Sequence, residues 1–274
     1  MRKVSLQAAL AIGLCGFMAT AQTATAQTAG VQAAGLVSYQ AVYDIELRAS
    51  SAAADVKTIT GQTHFMFEDV CDGWSSVEDY AISFGFGDEG TSNFISHYET
   101  WEAKDGTSFS FSVLENSNIE GEQVFEGFAN ASSGIAESFH SIDGGVMSEL
   151  PADTVFPSQH MVILLNKARA GESLHQSKIF LGGDLDSSLY FVNAVMGKQR
   201  TAPAPKALGS IGQEQHWPIP IAYFKPDSVT AEPEYEILFN VQDNGVIQSY
   251  VVDYGSFSMR AKVSAAQEIT APTC

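Results

Sequence analysis

Tyr235 to Tyr254 reads YEILFNVQDNGVIQSYVVDY. Tyr235, Ile237, Phe239 and Val241 alternate with Glu236, Leu238 and Asn240, and Tyr250, Val252 and Tyr254 repeat the period further on. A period of two places one set of side chains on each face of an extended chain, which describes a half-buried strand. Between the two runs lies Asp243-Asn244-Gly245, whose residues tolerate the positive φ of a tight hairpin turn. The stretch therefore reads as two antiparallel strands joined directly.

Working outward, the same signal returns along most of the chain. Val37, Tyr39, Ala41, Tyr43, Ile45 and Leu47 share one face of VSYQAVYDIELR; Tyr80, Ile82, Phe84 and Phe86 alternate, as do Phe109, Phe111 and Val113. Asp72-Gly73 and Lys104-Asp105-Gly106 punctuate these runs as turns. The architecture expected is mainly β, a long antiparallel meander. One segment breaks the period: LPADTVFPSQHMVILLNKARAGE, Leu150 to Glu172. Asp153 and Thr154 are candidate caps and Pro157 a helix-opening residue. Met161, Ile163, Leu164, Leu165 and Ala168 form the apolar set, Lys167 and Arg169 suit the last turn, and Gly171 is the stop. A helix of about 13 residues is marginal alone in water, so this one is expected to pack against the open face of a curved sheet. Residues 201–213, TAPAPKALGSIGQ, read as an irregular loop rather than a domain boundary.

The first residues, MRKVSLQAALAIGLCGFMATAQTATAQ, carry Arg2 and Lys3, then an apolar run, then the small-residue sites Ala19-Thr20-Ala21 and Ala24-Thr25-Ala26. This is the composition of a secretory signal peptide, expected to be cleaved near Ala26. The run is shorter than the roughly 20 residues of a spanning helix, and Leu14 before Cys15 is too large for a lipoprotein signal. The expected organisation is a leader, 1–26, a disordered lead, 27–35, and one domain, 36–274, that is soluble and exported with no membrane span. The whole chain has a formal charge of −18, and loss of Arg2 and Lys3 takes it to −20. Such acidity excludes nucleic acid and adsorption to anionic lipid.

Without the leader, Cys71 and Cys274 are the cysteines left. An oxidising compartment and an even count favour pairing them; a reactive thiol at Cys71, helped by His64, is the alternative. The histidines at 64, 97, 140, 160, 175 and 216 have no metal-ligand spacing. Asp184 and Asp186 in GGDLDSS, Gly182 to Ser188, alternate as calcium ligands do but lack the glycine and terminal glutamate of the full loop. No nucleophile elbow, phosphate loop or dinucleotide fingerprint is present, so no cofactor, metal or catalytic residue is assigned. Trp101 and Trp217 are candidates to line a lipid or glycan pocket, against the commoner role of strand aromatics in a core.

Taken together, YDIEL, FEDVCDGWSSVEDYAISF, TWEAKDGTSFSF, the helical segment, WPIPIAYF, the hairpin with which this reading began and the closing PTC resemble, in the same order, the EipB family of periplasmic cell-envelope integrity proteins, long catalogued as a domain of unknown function. The resemblance runs from about residue 36 to 274. It implies a monomeric, strongly curved β-spiral with a helix in its cavity, similar in shape to the periplasmic lipoprotein carriers LolA and LolB, and a disulfide between Cys71 and Cys274. It supplies no catalytic residue. The expected function is that of a non-enzymatic periplasmic factor maintaining the Gram-negative envelope by binding a lipid, lipoprotein, glycan or envelope protein. A periplasmic hydrolase with an unrecognised triad or carboxylate pair is the alternative.

Overall fold

The structure, a computed structural model, describes residues 35–52, 54–132, 135–141 and 144–274. The expected leader and all but the last residue of the expected lead lie outside these residues. Early strands are β1 (Tyr39–Ser50), β2 (Thr58–Asp69), β3 (Gly73–Gly85), β4 (Thr91–Ala103) and β5 (Ser108–Ser117). They continue into β6 (Gly121–Ser132), β7 (Ile135–His140), β8 (Val146–Leu150) and β9 (Thr154–Val155), followed by the helix α1 (Pro157–Arg169). After it come β10 (Leu174–Phe180), β11 (Leu189–Val195), β12 (Arg200–Thr201), β13 (Gln215–Phe224), β14 (Tyr235–Gln242), β15 (Ile247–Asp253) and β16 (Phe257–Glu268).

All sixteen strands of the described residues belong to one sheet, ordered β8-β7-β6-β5-β4-β3-β2-β1-β16-β15-β14-β13-β11-β10-β9, with β12 beside β13. Nearly every link is an antiparallel neighbour joined by a short turn, as the hairpin signals require. The exception that shapes the molecule is β1 against β16, which lays Tyr39 opposite Glu268 and joins the first strand to the last. The sheet curls into a barrel-like spiral whose ends, β8 and β9, are not paired to each other. Instead the β10 end is covered by the inner faces of β5 to β8. Phe180 meets Phe109 and Phe111 with ring centroids 5.9 and 6.0 Å apart, and the Tyr98 hydroxyl donates to the Leu181 carbonyl. Phe109, Phe156 and Phe180 anchor this smaller core, while Tyr43, Ile59, Leu165, Ile219 and Ile221 belong to the main one.

Proline would break a ladder within a central strand, yet β13 contains Pro218 and Pro220. They face β14 on one side, while the strand's other edge is shared between β12 at His216 and β11 from Ile221 onward. The prolines fall in the gap between these partners. Residues 201–213 are less irregular than their composition suggests: a 3-10 turn at Lys206–Ile211 buries Leu208 and Ile211 in the main core.

Helix α1 forms where the break in period predicts it, with Pro157 in its first turn. Asp153 and Thr154 do not cap it. Asp153 pairs with Lys178 at 2.7 Å and Thr154 is buried in β9. The cap is tertiary: the Ser158 and Gln159 amides each donate to one carboxylate oxygen of Glu102 on β4, both at 2.7 Å. At the other end Arg169 donates to the side chain and carbonyl of Asp243, in the β14–β15 turn, at 2.5 and 2.7 Å. The helix thus bridges opposite sides of one end of the barrel. Val162, Leu164 and Leu165 are buried, whereas Met161, Ile163 and Ala168 are half-buried.

Candidate functional site

The antiparallel register fixes what faces the lumen. One cross-strand row runs Ala41, Phe65, Glu78, Tyr98, Val113, Phe125 from β1 to β6. The next row towards the end opposite α1 runs Tyr43, Thr63, Tyr80, Ser96, Glu115, Gln123. With the inward sides of β13 to β16 these rows enclose a cavity of about 1040 Å³. At one end the cavity reaches Pro157, Ser158, His160 and Met161 of α1; at the other it is rimmed by the exposed Ile119, Glu120, Gln123 and Asp184. Helix α1 is therefore packed at one end of the barrel without filling it.

Aromatic and aliphatic side chains dominate the wall, among them Phe65, Phe67, Phe84, Ile237 and Phe239. Its polar groups are largely satisfied by one another. The hydroxyls of Ser76 and Thr100 are 2.7 Å apart, the Tyr43 hydroxyl donates to the Ile247 carbonyl at 2.8 Å, and the Ile247 amide donates to the Tyr39 hydroxyl at 3.3 Å. Burial raises the phenol of Tyr39 to about 12 and those of Tyr43 and Tyr80 well above the ordinary value, so these tyrosines stay neutral. Glu78 is different. It is a carboxylate half-way along an apolar wall, raised above its ordinary value by burial and held back by a hydrogen bond with Tyr80. Among the described residues no lysine or arginine lines the cavity. Glu102 lies beyond it beneath α1, raised to about 7 by burial, with the Ser158 and Gln159 groups opposing the rise.

Elsewhere the structure separates residues that the sequence made candidates. Trp101 does not line the cavity; Trp217 is buried in the main core and borders a smaller pocket of about 580 Å³ beside Arg169. Strand parity turns Trp101 away from the lumen, whereas Trp217 shares the inward side of β13 with Ile221 and Tyr223 and lies beyond the cavity in the packed core. Asp184 stands at the lumen's mouth, and among the described residues no three ligands gather for a metal. His97 and His64 approach Asp79 at 2.7 and 3.7 Å on an exposed patch, and no serine or cysteine is hydrogen-bonded to either ring among the described residues. His160 and His175 come together between α1 and β10, ring centroids 6.0 Å apart.

Cys71 and Cys274 are joined by a disulfide, Cα atoms 5.6 Å apart, far from the lumen's acidic mouth in chain order and held on the opposite, α1 end of the strands. The turn carrying Cys71 corrects a detail of the sequence reading. Positive φ falls on Cys71 itself, at 73°, and not on Gly73. Gly73 is required for space: a Cβ there would lie 2.6 Å from the Trp101 indole nitrogen and 2.7 Å from the Glu102 carbonyl. Asp69 steadies the turn, accepting the Cys71 amide at 3.0 Å and the Lys104 ammonium at 2.6 Å.

Glu78 and Glu102 were not singled out in the sequence, although the signal was present. Extending the inward series Tyr80, Ile82, Phe84 back by two residues gives Glu78, and nothing but its charge argued for the outside.

The EipB-like family model matches residues 31–269. The cell envelope integrity protein EipB of Brucella abortus (strain 2308) is 28% identical over 233 residues, covering 83% of this chain and 82% of that protein. The crystal structure of a β-barrel-like protein of a domain of unknown function, also from Brucella abortus, superposes with a TM-score of 0.79 at 26% identity, covering 86% of this chain and 99% of that one.

Proposed function

The chain belongs to the EipB-like family, and from that premise we propose that it is a periplasmic envelope-integrity factor that holds an apolar, chain-like molecule in its lumen without chemically altering it. The observation that carries this reading is the cavity itself: about 1040 Å³, walled by aromatic and aliphatic side chains and rimmed by the exposed Glu120, Gln123 and Asp184 with Ile119. Apolar pockets in this size range with a few placed polar groups are the usual form of small-molecule sites. The name of the Brucella relative supports the envelope role. No described helix is long and apolar enough to cross a membrane, which agrees with action from the periplasm.

The test is titration with the neutral apolar dye N-phenyl-1-naphthylamine. The expected result is a saturable rise in fluorescence at about one dye per chain, lost when the cavity is narrowed by Ile237→Trp, a change at a half-buried wall residue. Unsaturable binding, or binding indifferent to Ile237→Trp in a folded variant, would overturn it.

A further inference from the structure

We propose that the lumen selects an amphiphile bearing one positive charge, with an alkylammonium-type head seated at Glu78 among the lumen tyrosines and its chain along the aromatic wall. This rests on the reading of the lumen as a ligand cavity and adds the chemistry of the ligand's head.

A carboxylate inside an apolar enclosure is costly unless a cation or several donors meet it. Glu78 makes no ion pair among the described residues, and the cavity wall contains no lysine or arginine to provide one. What surrounds it is phenolic: its charge is felt at Tyr39, Tyr43, Tyr80, Tyr98 and Tyr250. Tyrosine faces attract organic cations, and a carboxylate among aromatic rings is the arrangement used to recognise ammonium groups. Tyr250 is 7% exposed, lines the cavity, and turns its hydroxyl towards Tyr80, the phenol beside Glu78.

The mouth points to the same class. Glu115, on the inward side of β5, is raised by burial and then by the nearby negative charges of Glu120 and Asp184. An entering anion meets three carboxylates, and an entering cation is attracted by them. For a phosphate or carboxylate head the best-suited donors, the first amides of α1, are already taken by Glu102. A neutral Glu78 hydrogen-bonded to Tyr80 would give no preference for charge, so the two accounts separate by experiment.

The experiment is calorimetric titration of the mature protein with decylamine, decanoate and decyl glucoside, each below its micellar concentration. Decylamine is expected to bind at least about tenfold more tightly than decanoate, with the glucoside between them. Glu78→Gln should bring the amine to within about threefold of the glucoside while leaving the glucoside's own affinity in place. Equal binding of amine and carboxylate by the parent protein, or an amine preference that survives Glu78→Gln, overturns the inference while leaving the lumen a ligand cavity. Failure of all three probes to bind overturns both. Glu78→Ser makes the same comparison where Glu78→Gln does not fold.

Discussion

Glu102 is 1% exposed and holds the first turn of α1 through two amide hydrogen bonds. Charge and burial pull it in opposite directions. The amides and the positive end of the helix favour the carboxylate, but desolvation is larger and lifts the group from 4.5 to about 7. The folded state therefore binds this proton more tightly than the unfolded chain does. The resulting stabilisation is complete below pH 4.5 and is lost as the pH rises through 7. Spread over that interval it amounts to about 3 kcal/mol. Glu102→Gln removes the titration, so the difference in unfolding free energy between parent and variant should move by up to about 3 kcal/mol in the variant's favour between pH 4.5 and pH 8. Denaturant melts at both pH values check it; a difference independent of pH would refute the assignment. Nothing in the sequence announced this residue. Capping signals are read from residues near the helix in the chain, and Glu102 reaches Ser158 from 56 residues away. At Cys71 and Gly73 the turn was legible but its internal conformation was not, because the space Gly73 leaves is set by Trp101 on a neighbouring strand.

At the scale of the element, α1 was legible as a helix and its ends were nearly right, since the break from period two to an apolar cluster with Pro157 before it and Gly171 after it admits little else. Which face is buried was only half legible. Met161 looks into the lumen, Leu164 and Leu165 are buried in the core, and Val162 is buried where the expected set omitted it. A helix that lies across the end of a barrel has core on more than one side, so a single apolar stripe is a poor guide. Leu164 is 0% exposed. Leu164→Asp places an unpaired carboxylate there and is expected to cost about 3–5 kcal/mol, read as a fall in the denaturation midpoint. A variant that melts like its parent would show that α1 is not part of the core.

For the whole molecule, period-two alternation and turn residues predicted a long antiparallel meander and the family resemblance its strong curvature, and the β1–β16 pairing shows how it is drawn round. Alternation tells which side of a strand faces inward but not how far a sheet curls, so the unpaired ends at β8 and β9 were not legible in it, and the cavity was expected from the family resemblance alone, with the helix inside it. The Cys71–Cys274 bond spans a sequence separation of 203 residues and ties the segment after β16 to the β2–β3 turn. Opening it by Cys71→Ser or Cys274→Ser should lower stability by about 2–4 kcal/mol, less than a loop of this length gives in the chain-entropy model because denatured chains are not random. The double variant should lose little more than either single one, since both remove the same bond. Equilibrium unfolding of the three variants measures this, and additive losses would show that the cysteines act separately. A core of this size should still fold without the bond.

The central claim is that the lumen serves the envelope by what it holds. Its most direct test is complementation of a strain lacking the gene with the Ile237→Trp protein, scored by survival in detergent alongside the level and melting temperature of the protein. The account predicts that the variant accumulates and melts like the parent yet fails to restore resistance. Full restoration by a folded protein with a blocked lumen would contradict it.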